Sequence, residues 1–262
     1  MSEVVGFGLA LLIGVTLGML GGGGSILTVP VLVYVMGFEP KLGIAMSLPV
    51  VGASSVVGAI GHWRSGNLDW RVVAAVAPLA MAGAVGGARL ALLVSARFQL
   101  ILLAGVMAAA GLVMLRDRGR DEAASGSGGE RRVALATTGL GVGVLTGLVG
   151  VGGGFLIVPA LVLLARIPMK RAVGTSLVVI SLSTLTGLAA YQGQAAIRWR
   201  VVALFTALTM TGAGIGAKAA RRVPARALRR AFAVLVLMLS AFLAYESVAA
   251  GAPARAPAAK PS

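Results

Sequence analysis

Long uncharged stretches dominate this chain: residues 4–36, 42–61, 72–88, 98–115, 133–165, 172–197 and 201–217, with 231–250 interrupted only by Glu246. A hydrocarbon layer about 30 Å thick is spanned by roughly 17 to 25 helical residues, so each stretch is a candidate membrane span. The alternation of apolar and polar residues that a membrane β-barrel requires is absent. Helices apolar on every side have no place in a two-layered soluble domain. With 58% hydrophobic residues against 12% charged, the expected fold is an all-α polytopic membrane protein with about eight transmembrane helices.

The 23 Lys and Arg outnumber the 8 Asp and Glu, a net charge of +15, but they form short clusters between the apolar runs. That placement suits topology signals and headgroup contacts. Without zinc-ligand spacing, interleaved aromatics or a recognition helix, nucleic acid is not an expected partner. The lipid bilayer is. The absence of cysteine excludes disulfides and thiolate metal sites. Met1-Ser2-Glu3 leads directly into the first apolar run and on into glycines, which reads as a membrane element rather than a cleaved signal.

The chain repeats itself at an offset of 129 residues. Residues 14–30, GVTLGMLGGGGSILTVP, align with 143–159, GVLTGLVGVGGGFLIVP, and nine of the 17 positions are identical. The offset continues through Lys41 and Lys170, Ser47 and Ser176, Gly58 and Gly187, Trp70 and Trp199, and Arg89 and Lys218. The expected organisation is a first transmembrane repeat over 1–120, a polar linker over 121–130, a second repeat over 131–250, and a disordered Ala/Pro-rich tail over 251–262.

Each copy opens with 33 uncharged residues, a length of about 50 Å as one helix and too long for a bilayer. Gly21 to Gly24 interrupt the first run, and Gly150 with Gly152, Gly153 and Gly154 interrupt the second. Pro30 and Pro159 follow at equal distances. Glycine and proline both disfavour a helix interior, so each opening element is expected to be broken or re-entrant. Backbone opened in a membrane must face protein or a watery cavity, and free amides at the start of a short helix suit an anion. Broken helices at matching places in two halves point to a transporter's binding site. Close helix packing is the other use of such glycines, and it fits Gly14, Gly18, Gly143 and Gly147.

The other polar groups at membrane depth are few. Ser54 and Ser55, matched by Ser183 and Thr184, either line a path or bond back to their own helices. Lys41, Lys170, Arg89 and Lys218 either draw anions to the mouths of a cavity or snorkel to headgroups. His62, beside Trp63 and Arg64, reads as an interfacial residue rather than a base. The glycine strings lack the Gly-Lys-Ser/Thr ending of a phosphate loop, so no enzyme, cofactor or metal site is expected. No acidic residue falls at mid-membrane, which argues against a carboxylate proton relay. If each opening element enters and returns, the basic residues divide 16 to 7 between the two sides. The richer side is then cytoplasmic, and an odd number of passes inverts the second copy.

The paired strings GMLGGGGSILTVP and GLVGVGGGFLIVP, each opening a unit, resemble the TauE/SafE sulfite exporter family over about residues 4–248. The resemblance implies a multi-pass transporter of the cell inner membrane. It also places the family's glycines and proline on Gly21, Gly23, Gly24 and Pro30, and on Gly150, Gly152, Gly153, Gly154 and Pro159. Ser25 stands where the first string would end in glycine. The implied partner is a small anion: sulfite, a sulfonate, or a related organosulfur or carboxylate compound, moved by alternating access. Export of one negative charge from a negative interior is favoured by about 2.3 kcal/mol per 100 mV. An anion channel and a non-transporting membrane scaffold are the alternatives.

Overall fold

A computed structural model of the chain describes residues 2–91, 93–116, 128–149, 154–190 and 198–249. Most of the linker and the tail over 251–262 lie outside the described residues, as do Gly150, Gly152 and Gly153. The described part is all-α. In chain order it comprises α1 (Ser2–Leu20), α2 (Gly23–Pro30) running into a π-helical turn (Val31–Val35), α3 (Pro40–Trp63), α4 (Trp70–Ala91) and α5 (Ala96–Arg116). These are followed by α6 (Gly128–Val149), α7 (Gly154–Leu163), α8 (Met169–Ala190), α9 (Trp199–Arg222) and α10 (Ala225–Ala249).

The expected set of about eight transmembrane helices, four to each repeat, is overturned. Among the described residues, four helices are long and apolar enough to cross a membrane: Leu42–Trp63, Trp70–Gly87, Trp199–Arg222 and Ala225–Ala244. Four further apolar stretches are shorter: Val5–Leu20, Gly24–Val35, Ile101–Arg116 and Leu135–Thr146. An uncharged run is an upper bound on a helix. The first long run is cut after Leu20, and the second yields one helix ending at Val149 and another starting at Gly154.

After Leu20 the chain doubles back. Gly24 lies against Ile13 and Leu17, and Gly6 lies against Met36, so α2 and the π turn run antiparallel along α1. The return element ends in a widened ladder, in which Met36 N–H reaches Val31 O, five residues back, at 3.0 Å. At the same offset in α7, Ala160 O accepts from both Leu164 N–H at 2.9 Å and Ala165 N–H at 3.2 Å. Phe38 to Leu32 and Ile167 to Leu161 repeat the next bond at the same offset. The residue that turns the chain has positive φ in both places, Gly37 at 74° and Arg166 at 49°.

Helix pairing follows the offset too. α1 packs on α9, and α6 packs on α4. Gly14 meets the backbone of Thr209 while Gly143 meets that of Ala80; Gly212 meets Leu11 while Gly83 meets Leu140. Missing Cβ atoms let these backbones touch, the packing by which apolar helices associate when lipid offers no hydrophobic gain. Between the two pairs, α3 and α8 cross antiparallel, with Gly52 at Thr184 and Gly58 at Leu177. α5 and α10 pack together, and Ser240 donates to Ala104 O at 2.8 Å.

The outer surface is apolar. Leu12, Val85, Ile101, Ile215 and Met238 are exposed along mid-helix, where a soluble protein would place polar groups. Trp63 and Trp70 stand edge to face at 6.3 Å at one end, and the exposed Trp199 opens α9 at the other, as interfacial aromatics do.

Candidate functional site

Two polar places emerge inside this frame. The first is the junction between α1 and α2. Gly21 has φ of +78°, a conformation L side chains rarely adopt, and its amide closes the end of α1 by donating to Leu17 O at 2.8 Å. A Cβ at Gly21 would lie 2.6 Å from Ser176 Oγ and 3.0 Å from Val158 Cγ2, so the turn is pressed against α7 and α8. α2 starts at once with Gly22 as its N-cap and no side-chain cap. Its first amides are thus left to neighbours other than a capping side chain.

The sequence candidates here divide. Gly21 turns the chain. Gly24 permits contact with α1, since a Cβ there would lie 2.6 Å from Leu17 Cβ. Ser25 Oγ donates to Gly22 O at 2.7 Å. Gly23 opens α2 and Gly154 opens α7. The remaining candidates of the second string, Gly150, Gly152 and Gly153, lie outside the described residues.

The second place is the α3–α8 crossing. The antiparallel register, combined with the offset of 129, puts its centre near Ser54 and Ser183. The four hydroxyl candidates therefore share one level. Ser54 donates to Thr209 Oγ1 of α9 at 2.7 Å, and Thr209 passes its own proton to Phe205 O or Thr206 O at 3.0 Å. Ser183 bonds back to Val179 O at 2.9 Å, and Thr184 to Ile180 O and Ser181 O. Ser55 differs. It is 0% exposed, and its hydroxyl has no hydrogen-bond partner among the described residues. It lies on α3 between Gly52 and Gly58, hence level with Ile180 and Ser181 of α8. Leaving such a group unpaired costs about 1–3 kcal/mol. The junction and the crossing are separate places: Ser176 precedes Thr184 by eight residues, about 12 Å along α8.

His62 departs from the sequence reading. It is 2% exposed although its neighbours Trp63 and Arg64 are exposed, and its Nε2 lies 2.9 Å from Gly18 O in the last turn of α1. A carbonyl only accepts, so Nε2 carries the proton. The helix rotates about 100° per residue, and position 62 falls on the same inward face as Ser55 and Gly58.

The end of the molecule beyond His62 is basic and laced across the two halves. Arg221 donates to Gly61 O at 3.1 Å, Lys170 donates to Arg221 O at 3.2 Å, and Asp69 N–H donates to Thr175 Oγ1 at 3.3 Å. A cavity of about 370 Å³ opens here, lined by Gly66, Leu68, Asp69, Trp70, Arg71 and Arg171. Of the four proposed mouth charges, Lys170 is engaged with Arg221, while Lys218 and Arg89 are exposed. The side chain of Lys41 lies outside what the structure describes. The cations that line the cavity are Arg71 and Arg171; Arg71 follows Trp70 as Arg200 follows Trp199 at the repeat offset, whereas Arg171 has Leu42 as its counterpart.

Among the described residues, no three His, Asp or Glu side chains gather to hold a metal. The family model for sulfite exporter TauE/SafE matches residues 6–243. The "Probable membrane transporter protein" of Xylella fastidiosa strain Temecula1 is 33% identical over 251 residues, covering 94% of this chain and 96% of the relative. "Probable membrane transporter protein YdhB" of Bacillus subtilis strain 168 is 26% identical over 226 residues, 84% and 91% of the two chains. No solved structure matches significantly. A multi-pass helical chain with an apolar outer face, a glycine-hinged opening element and matching transporter sequences over nearly its full length belongs to the sulfite exporter TauE/SafE family of membrane transporters.

Proposed function

We propose that this transporter carries a small oxyanion, with sulfite, sulfonates and related organosulfur or carboxylate compounds as its substrate class, across the cell inner membrane by alternating access. The observation that carries the reading is the Gly21 junction. There the chain leaves α1 with positive φ and starts α2 without a side-chain cap, beside the Ser176 hydroxyl. Successive free amides at a helix start, in a setting poor in water, favour a negative group. Gly23, Gly24 and Ser25 supply the amides, and Gly152, Gly153 and Gly154 are their counterparts in the second half, where Gly150 matches Gly21. The crossing, with Ser54, Ser55, Ser183 and Thr184, is a second polar station on the path. The basic end faces the cytoplasm and concentrates anions for export.

The test is uptake of labelled sulfite into liposomes carrying the purified protein. Saturable uptake, competed by small sulfonates or carboxylates and indifferent to added cations, is expected. Flux that rises linearly with concentration would identify a channel instead.

A further inference from the structure

The buried imidazole of His62 has no part in the reading so far. From its bond to Gly18 O we infer that His62 is a positioning residue for anion binding: it caps α1 from the neighbouring helix and thereby holds the Gly21 junction open.

The argument starts from the carbonyls that every helix end leaves without partners. In α1, Leu17 O is taken by the Gly21 amide at 2.8 Å, and the next one, Gly18 O, is met by His62 Nε2 at 2.9 Å. Gly18 O is the i→i+4 acceptor through which α1 would continue, and its natural donor is the Gly22 amide. A histidine donating to that carbonyl satisfies it without Gly22 N–H, so α1 can end at Leu20 and leave that amide to a ligand. Gly18 is itself packed in place: a Cβ there would run into the backbone of Ala213 in α9, and a Cβ on Gly58 of α3 would lie 3.7 Å from Gly18 Cα. His62 is itself fixed, since its ring stem packs against Gly174 of α8, where a Cβ would lie 3.0 Å from His62 Cβ. Its carbonyl accepts from Ser65 N–H at 3.1 Å and Asn67 N–H at 3.0 Å. A side chain anchored to α3 and α8 thus sets the last turn of α1. The position equivalent to His62 in the second half is Tyr191.

This inference rests on the Gly21 junction being the anion site. Its test compares concentration-dependent sulfite uptake in liposomes for the unmodified protein, His62→Leu, His62→Gln and Gly21→Val, with insertion and monodispersity measured for each. Loss of one hydrogen bond should raise the half-saturating sulfite concentration of His62→Leu by about tenfold, with little change in maximal rate. His62→Gln keeps an N–H donor of similar reach and should restore the half-saturating concentration to near that of the unmodified protein. A well-inserted His62→Leu protein with unchanged half-saturation overturns the inference. So does a His62→Gln protein with a tenfold rise, which settles the matter even if the Leu variant fails to insert. Gly21→Val separates the two levels: normal uptake by that variant removes the junction itself as the site, whereas its loss beside a normal His62→Leu removes only the role of His62.

Discussion

Ser55 shows how a single side chain can be kept at a cost to stability. Its hydroxyl is buried without a partner among the described residues. Ser55→Ala should therefore raise stability by about 1 kcal/mol, because alanine removes an unmet polar group and leaves only a small void. The same change should weaken sulfite transport if the hydroxyl serves passing substrate. Thermal unfolding in detergent and flux in liposomes measure the two effects, and unchanged flux would return Ser55 to a packing role. Arg166 offers a simpler case: its φ of 49° is the counterpart of Gly37 at 74°. Arg166→Gly should add roughly 1 kcal/mol, since a Cβ in the left-handed region costs about that much. A lower unfolding temperature would show that the arginine side chain matters more than its backbone. The polar candidates were legible in the sequence because hydroxyls in apolar runs are few. Whether each is satisfied was not, because Ser54 depends on Thr209, 155 residues away. The burial of His62 was not legible for a related reason. Trp63 and Arg64 mark an interface, but a helix turns neighbouring residues to different faces, and the face of His62 became known only with α1 and α8 in place.

At the scale of elements, the glycines sort by what faces them. A Cβ at Gly14 would run into the Thr209 carbonyl and one at Gly143 into that of Ala80, whereas Gly8 has nothing within 4 Å. Gly14→Ala and Gly143→Ala should each cost about 1–3 kcal/mol by forcing helices apart. Gly8→Ala should be neutral or gain up to about 1 kcal/mol through helix propensity. Detergent unfolding of the three variants checks this, and equal stability of all three would contradict the packing described. The four-residue spacing announced packing in the sequence, but not which helix supplies the partner. The doubling of Pro30 and Pro159 likewise announced an interruption. The π turn that follows Pro30, and the antiparallel return of α2 along α1 with its contacts to Leu17 and Met36, are not revealed by spacing. The span count failed at this scale: charge-free length measures what lipid tolerates, while a turn such as that at Gly21, with its positive φ, decides where a helix stops.

For the whole molecule, the offset of 129 and the antiparallel α3–α8 crossing together make the two halves run in opposite directions. The lacing of Lys170, Arg221, Gly61, Asp69 and Thr175 gathers the basic loops at one end. The charge asymmetry of the sequence leads to the expectation that this end faces the cytoplasm, since basic residues mark the side that is not translocated. In this cysteine-free chain, Ala227→Cys should react with an impermeant maleimide only from the cytoplasmic side, and Ser95→Cys only from the other side. Labelling of both from one side would refute the inverted arrangement. Arg71→Gln with Arg171→Gln should raise the half-saturating sulfite concentration about twofold to threefold at low salt, an effect that fades at about 1 M salt as surface charges are screened. An effect independent of salt would point to direct coordination instead. The central claim is that the Gly21 junction binds a small anion for transport. It is tested most directly by labelled sulfite uptake into liposomes containing either the unmodified protein or Gly21→Val, both shown to be inserted and monodisperse. The account predicts saturable uptake by the first and none above protein-free vesicles by the second; equal uptake by the two, or none by either, would contradict it.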